Sequence, residues 1–217
     1  MTTLPPIRHY YHVYADGDYR QAARDHFAAF RSSGLSKIVE HLHIGFVGSE
    51  ENVRNARRRI ADLAGRKFEE NASATGWEQE TQDMLHRDAV MAKRPFLALY
   101  AHTKGAANPT ELNRLWRIIM TRYTVTRWRE AVATFDGRIG AAGCFWAPFK
   151  DTRFFAGNFW WARSDAIASI GPPDRTDRFG AEGWIGRVTV LTRPYGVYAL
   201  FNAPLTLPSL QRFEHTS

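Results

Sequence analysis

The stretch that decides the fold is Phe96-Leu97-Ala98-Leu99-Tyr100-Ala101-His102-Thr103-Lys104-Gly105. An apolar run of this length between Pro95 and a glycine is typical of a strand that is buried on both faces. In open α/β sheets, ligands bind beyond the carboxyl ends of such strands. His102 and Lys104 would lie at that end, on the same side of an extended chain. An imidazole beside an ammonium indicates a site that binds an anion or transfers a proton. A strand that simply ends in solvated residues has the same pattern.

Strand and helix patterns alternate on both sides of this stretch. Aromatic and β-branched residues predict strands, and apolar residues at helical spacing predict helices. A long helix after Pro109 should bend or break near Thr124, because the phase of its apolar positions shifts there. Trp77 should face inward from a helix over about 77–93. The inward face of the first helix should consist of Tyr19, Ala22, Ala23, His26, Phe27 and Phe30. The predicted strands are 9–15, 38–47, 96–105, 139–146, 154–162 and 195–201, and the other helical segments start near 19, 49, 77, 164 and 179, with 67–74 a short strand or a loop.

This alternation predicts the fold class: an α/β sandwich with a mostly parallel central sheet flanked by helices. No repeat or linker divides the 217 residues. We therefore expect a single domain over 1–217, with a core of about 9–203 and a short polar tail.

Composition narrows the class of protein. A 44% hydrophobic chain with a mean hydropathy of −0.40 is globular, and no apolar run approaches the roughly 20 residues of a membrane span. The N-terminus lacks a signal-peptide pattern, and the single cysteine, Cys144, excludes an intrachain disulfide. We expect a cytoplasmic protein. The net charge of +7 favours nucleotides, nucleic acids or other polyanions as partners.

Two further segments carry candidate chemistry. Asp16-Gly17-Asp18 follows the first strand and could hold Mg²⁺ or Mn²⁺ on a diphosphate, or form only a turn and a helix cap. Gly157-Asn158-Phe159-Trp160-Trp161-Ala162 places an amide next to aromatic surfaces, which suits a sugar, but also suits a buried strand with a bulge at glycine.

Glu182 stands among apolar and aromatic residues between Phe179 and Gly186. Such a setting tends to raise the pKa of a carboxyl group towards that of a useful general base. The alternative is an ion pair with Arg178 or Arg187. No glycine-rich dinucleotide or phosphate loop is present, which argues against a Rossmann dehydrogenase or a P-loop NTPase. There is also no Gly-x-Ser-x-Gly elbow.

Taken together, four segments resemble one family. They are His12–Arg20, Tyr100–Gly105, Gly157–Ala162 and Arg178–Gly186. In this order they are similar to small bacterial and bacteriophage glycosyltransferase-like proteins with a GT-A-like, nucleotide-sugar-binding fold. The shared patterns are Tyr-x-His-Thr-Lys-Gly, Gly-Asn-Phe-Trp-Trp-Ala and Glu-x-Trp-Ile-Gly.

The resemblance implies transfer of a sugar from a nucleoside-diphosphate sugar to a hydroxyl, with inversion if attack is direct. It implies that Glu182 deprotonates the acceptor and that His102 and Lys104 hold the diphosphate. The remaining implied roles are the nucleoside for Tyr14, Asp16 and Asp18, and the sugar or acceptor for Asn158, Trp160 and Trp161. His102-Thr103-Lys104 takes the place of the usual metal-binding Asp-x-Asp, so no metal ligand is assigned and metal dependence stays open.

The acceptor implied is a hydroxymethylated base in phage DNA or else a cell-envelope glycan. Two other functions stay open. One is a non-catalytic nucleic-acid-binding protein, since Arg54, Arg57, Arg58 and Arg59 form the outer face of a helix. The other is a metal hydrolase, with His41, His43 and His102 as its ligands.

Overall fold

A computed structural model describes residues 4–149, 152–177, 179–191 and 195–214. The strands of the main sheet are β1 (Ile7–Tyr14), β2 (Val39–Val47), β3 (Glu69–Ser73), β4 (Leu97–His102), β5 (Ile139–Cys144), β8 (Trp160–Arg163) and β9 (Gly196–Phe201). A separate hairpin is formed by β6 (Trp146–Phe149) and β7 (Thr152–Phe155). The helices are α1 (Tyr19–Ser32), α2 (Glu50–Ala64), α3 (Gln79–Met91), α4 (Glu111–Thr121), α5 (Trp128–Ala133), α6 (Ser164–Ser169), α7 (Gly180–Gly183) and α8 (Leu207–Gln211).

The main sheet has seven strands in the order β3-β2-β1-β4-β8-β5-β9. All neighbouring pairs are parallel except the two that involve β8, which runs antiparallel to β4 and β5. The predicted fold class, an α/β sandwich with a mostly parallel sheet flanked by helices, is confirmed. The domain assignment stays a prediction.

The central strands are buried on both faces, as the apolar run in β4 predicts. Leu99 packs with the cluster under α1, and Tyr100 packs on the opposite face with Trp160 and the residues of α3. On α1, the six residues predicted to face inward are the buried ones: Tyr19, Ala22, Ala23, His26, Phe27 and Phe30. Lys104 and Gly105, just beyond the carboxyl end of β4, are partly exposed, so a ligand can reach the strand at that end.

The predicted break near Thr124 is confirmed. The helix after Thr110 ends at Thr121, continues as a π-helical turn over Arg122–Thr126, and resumes as α5. Thr124 Oγ1 donates to the Met120 carbonyl oxygen at 2.7 Å, so its side chain bonds within the preceding turn. The π-bulge absorbs the shift in phase that the apolar positions require.

Three predictions about the elements are wrong. The segment 139–146 is not one strand, because β5 ends at Cys144 and Trp146 begins β6 of the separate hairpin, with Phe145 (φ 58°) between them. The segment 154–162 is not one strand, because β7 ends at Phe155 and β8 begins at Trp160, with a turn in between. Gly157 (φ 90°) and Asn158 (φ 58°) take left-handed conformations in that turn, which a strand cannot contain. Trp77, predicted to face inward, is 44% exposed.

Candidate functional site

A cavity of about 550 Å³ opens at the carboxyl ends of β1, β2, β3 and β4. From β1 the chain moves outward to β2 and β3 on one side, and then returns to place β4 on the other. Ligands of open α/β sheets bind at such a reversal of strand order. The residues that line the cavity are His12, Tyr14, Asp16, Val47, Gly48, Ala74–Glu78, His102–Asn108, Asn113 and Glu182.

The loops after β1 and β4 are clamped together beside the cavity. The Asp18 amide donates to the Ala106 carbonyl oxygen at 2.9 Å, and the Thr103 amide donates to the His12 carbonyl oxygen at 2.9 Å. Gly17 lies against the same loop, and a Cβ atom there would stand 2.5 Å from the Ala106 carbonyl oxygen. Only glycine permits so close an approach of the two backbones.

Asp16 and Asp18 play different parts. Asp16 lines the cavity, and its Oδ1 accepts from the Ser49 amide (2.9 Å), the Ser49 hydroxyl (3.1 Å) and Asn52 Nδ2 (2.9 Å). The Asn52 and Ser49 hydrogen bonds hold the pKa of Asp16 below its usual value. Asp18 precedes α1 and is not among the lining residues. An Asp-x-Asp metal chelate requires both carboxylates to face one common ligand, and these two do not.

His102 and Glu78 form a buried pair at the floor of the cavity. His102 Nδ1 lies 3.2 Å from Glu78 Oε1, and His102 Nε2 lies 2.9 Å from the Gly157 carbonyl oxygen. Glu78 Oε2 accepts from Asn158 Nδ2 at 2.6 Å and from the Tyr100 hydroxyl at 3.1 Å. The carboxylate thus joins the end of β4, the start of α3 and the turn before β8.

The electrostatics of this pair favour an ionised Glu78. Burial acts to raise its pKa, but His102, His12, the Asn158 hydrogen bond and Lys104 together outweigh burial and leave the pKa lowered. Burial lowers the pKa of His102, against the opposing effect of Glu78. A carboxylate held as an anion by several donors is a weak proton acceptor, so Glu78 suits a positioning role better than that of a base.

Lys104 and Glu182 line the same cavity from different elements of the fold. The Lys104 ammonium lies 4.1 Å from the centre of the Trp116 ring on α4, a cation–π contact that restrains the side chain. Glu182 is half-buried on the short helix α7. Arg178, the suggested ion-pair partner of Glu182, lies outside the described residues.

The three residues predicted to bind the sugar or acceptor are not brought to the cavity. Trp160 and Trp161 are fully buried and Asn158 is 1% exposed. Trp160 Nε1 donates to Asn158 Oδ1 at 2.7 Å, and Trp161 Nε1 donates to the Thr124 carbonyl oxygen at 2.8 Å. Because β8 lies inside the sheet, its indole rings pack in the core. Asn158 contacts the site through Glu78 and through the Ala181 carbonyl oxygen, at 3.4 Å.

The sequence patterns did not identify two residues of the site, Glu78 and Trp77. Glu78 had no pattern that marked it, since its partners lie 22 to 80 positions away in the chain. Trp77 was taken as a core residue from its helical spacing, but it precedes α3 and lines the rim of the cavity. With Tyr14 it offers the exposed aromatic surface that Trp160 and Trp161 were expected to supply.

The three-histidine metal site predicted for a hydrolase does not form. His41 and His43 lie together on β2 with Glu69 of β3, whereas His102 contacts Glu78 and Gly157. The Arg-rich face of α2 is partly neutralised, since Arg54 pairs with Glu50 (2.9 Å) and Arg57 with Glu70 (2.7 Å).

Comparisons with known proteins bear on the fold. No protein-family model and no curated protein matches the chain. One solved structure, described as a mycobacterial protein, superposes with a TM-score of 0.54 at 9% identity, covering 91% of this chain and 66% of the other. This chain therefore spans just under two thirds of that protein, and at this identity the likeness shows the fold alone.

A second structure, of a 4-diphosphocytidyl-2C-methyl-D-erythritol synthase, matches with a TM-score of 0.43 at 10% identity, over 95% of this chain and 92% of that one. At that TM-score the match does not bear on function. Among the described residues, no helix has both the length and the apolar character to cross a bilayer.

Proposed function

We propose that this protein is a glycosyltransferase that uses a nucleoside-diphosphate sugar as donor. One observation carries the proposal: Tyr14, Asp16, His102, Lys104 and Glu182, from three distant parts of the sequence, line one cavity. That cavity lies where α/β sheets of this kind bind their ligands. The resemblance to GT-A-like proteins rests on four sequence segments, and three of them contribute residues to the lining of this cavity.

In this proposal the diphosphate lies against the loop after β4, with Lys104 as its fixed cation. The cation–π contact with Trp116 already restrains the ammonium. Little side-chain freedom would therefore be lost when a phosphate binds. As the donor bond breaks, negative charge grows on the leaving diphosphate, and a cation already in place stabilises it in the transition state. The contacts of Glu78 and His102 hold the residues at the floor of the site in place beneath the diphosphate.

The nucleoside would lie against the aromatic rim formed by Tyr14 and Trp77, both of which are exposed and line the cavity. Aromatic faces bind nucleobases and sugar rings by stacking. The hydrogen bonds to Oδ1 of Asp16 anchor the β1 loop to the start of α2. The sequence assigned the sugar site to Trp160 and Trp161; we now place the stacking surface at the rim instead.

Glu182 is the proposed general base for the acceptor hydroxyl. It lines the cavity from α7, an element separate from the loop that carries Lys104. Direct, inverting attack needs a base on the side of the sugar away from the leaving diphosphate, and Glu182 would supply it. Glu78 is the other carboxylate at the floor, and its two donors, Tyr100 and Asn158, make it the weaker proton acceptor.

The donor is tested by a thermal-shift screen against UDP-, GDP-, ADP- and CDP-sugars, with and without Mn²⁺. We expect one nucleotide class to raise the unfolding temperature of the wild type and of Lys67→Ala, an exposed control, and to have little effect on Lys104→Ala. A shift of equal size in Lys104→Ala would remove Lys104 from the diphosphate site. No shift with any nucleotide, together with salt-dependent binding to DNA or RNA, would favour the non-catalytic nucleic-acid-binding protein instead.

The reaction is tested by release of the nucleoside diphosphate in the presence of an acceptor. Glu182→Gln should lower turnover by about 10²- to 10⁴-fold, the usual contribution of a general base, and Glu51→Gln on the exposed face of α2 should not. Full transfer by Glu182→Gln would remove Glu182 from the role of base. The acceptor, a hydroxymethylated base in DNA or a cell-envelope glycan, stays a prediction.

A further inference from the structure

A second cluster of ligand-type side chains lies on the sheet away from the cavity. It consists of His41 and His43 on β2 and Glu69 on β3, with one ligand atom of each within 4.8 Å of the others. Val47, at the far end of β2, borders the cavity. Six residues of strand separate it from His41, which corresponds to about 20 Å. The cluster is therefore not part of the cavity site.

We propose that this cluster binds a divalent cation of the zinc type. His41 Nδ1 lies 3.2 Å from Glu69 Oε1, and His43 Nδ1 lies 3.6 Å from Glu69 Oε2. Zn–N and Zn–O bonds of about 2.0–2.2 Å in a tetrahedron place neighbouring ligand atoms about 3.4 Å apart. Two imidazoles and one carboxylate are a donor set that suits Zn²⁺ and related borderline metals, not Mg²⁺.

His43 supplies the second observation that points to a ligand. It is 3% exposed, and neither of its ring nitrogens has a hydrogen-bond partner within the described residues. Buried polar atoms are rarely left without one. Its Nδ1 points towards Glu69 and its Nε2 towards Asp88, at 3.6 and 3.5 Å, distances too long for good hydrogen bonds. A metal ion bound to Nδ1 would supply the missing partner on that side.

The surroundings of His43 match those of a metal-binding histidine. Asp88 of α3 faces the second ring nitrogen, and Asp88 is held in turn by the Tyr10 hydroxyl at 2.7 Å. The Tyr10 ring stacks on the imidazole at 4.6 Å between centroids, which fixes its orientation. A carboxylate behind a ligating histidine is the usual outer partner that orients the ring and raises its basicity.

The cluster is accessible, and its charges allow a cation. The His41 side chain is 46% exposed and that of Glu69 is 63% exposed, so a metal can enter and keep a water ligand. Glu69 and Asp88 contribute two negative charges. Arg8, opposite His41 across β1 and β2, is the neighbouring cation, and its guanidinium is drawn over the Phe96 ring at 4.2 Å. A bound ion would tie the edge strand β3 to β2 and α3.

The test uses Zn²⁺ alone, with the untagged full chain freed of metal by a chelator. Competition against a chromophoric chelator should give one Zn²⁺ per chain, with no binding of Mg²⁺. Glu69→Gln and His41→Ala should each weaken binding by at least tenfold. Glu70→Gln is the matched control, because Glu70 is the next residue on β3 and pairs with Arg57; it should bind Zn²⁺ as the wild type does.

Asp88→Asn should weaken binding by about 10- to 100-fold, as loss of an outer partner does. Zn²⁺ should also raise the unfolding temperature of the wild type and of Glu70→Gln, and not that of Glu69→Gln. Both His41 and Glu69 are exposed, so their variants should fold. Absence of stoichiometric Zn²⁺ binding by the wild type, or equal affinity in Glu69→Gln and Glu70→Gln, would overturn the proposal whatever the cavity proves to bind.

Discussion

Replacement of Glu78 by alanine tests the account of the cavity floor. The substitution removes the acceptor for the Tyr100 hydroxyl and for Asn158 Nδ2, and the partner of His102 Nδ1. A buried donor left without a partner costs about 1–3 kcal/mol. The Glu78 side chain is 19% exposed, so water from the cavity can replace part of the loss, and the lower half of that range applies.

Summed over the two donors, Tyr100 and Asn158, the expected loss in the free energy of unfolding is about 2–4 kcal/mol for Glu78→Ala. For a chain of this size, each kcal/mol lowers the unfolding temperature by about 2–4 °C, so we expect a fall of about 10 °C. Glu78→Gln keeps an acceptor oxygen for Tyr100 and Asn158, and should lose only about 1 kcal/mol. Urea unfolding, followed by tryptophan fluorescence, measures both.

The pH dependence gives the same prediction a second readout. The pKa of Glu78 is lowered in the folded protein, so its stabilising effect is fully present above the unfolded pKa of about 4.3 and is lost as the pH falls through the folded value. Glu78→Gln should lack that loss. Glu51→Ala, an exposed change on α2, is the control and should cost under about 1 kcal/mol. A Glu78→Ala protein no less stable than this control would show that Glu78 does not hold the cavity floor together.

Three further results are expected. Gly17→Ala should weaken nucleotide binding by at least tenfold in the thermal-shift screen, because a Cβ atom 2.5 Å from the Ala106 carbonyl oxygen must push the two loops apart; unchanged binding would contradict the clamp. Trp161→Phe should lower the free energy of unfolding by about 1–3 kcal/mol, since it leaves the Thr124 carbonyl without its donor, while nucleotide affinity stays the same; a selective loss of affinity would return Trp161 to the site. Burial lowers the pKa of His12 to about 4, so the unfolded state binds more protons than the folded state between about pH 6.5 and 4. The free energy of unfolding should therefore fall as the pH is lowered through that range. Urea unfolding at each pH should show a smaller fall for His12→Gln, and an equal fall would contradict this.

The local pattern of the chain predicts most of the alternating elements, but not the hairpin of β6 and β7. Helical spacing gave the buried face of α1, and the shift in phase gave the break at Thr124. Both depend on periodicity within one segment, which a sequence displays directly. The apolar run in 96–105 also indicated a strand buried on both faces, because only an inner strand of a covered sheet needs no polar face.

What the sequence could not give depends on contacts between distant segments. The amide of Asn158 beside the indoles of β8 suggests a sugar-binding surface, but the antiparallel insertion of β8 between β4 and β5 buries all of these side chains. Glu78 became part of the site only because α3 starts beside the end of β4. Neither fact has a local signal, since both follow from strand order.

We expect a nucleoside diphosphate to bind at the carboxyl ends of β1 and β4. The decisive measurement is a crystal structure with the nucleoside diphosphate that gives the largest thermal shift. We expect density for the diphosphate within contact of the Lys104 ammonium, with the base or ribose against Tyr14 or Trp77. Density for the nucleotide at any other surface, with this cavity holding only solvent, would contradict it.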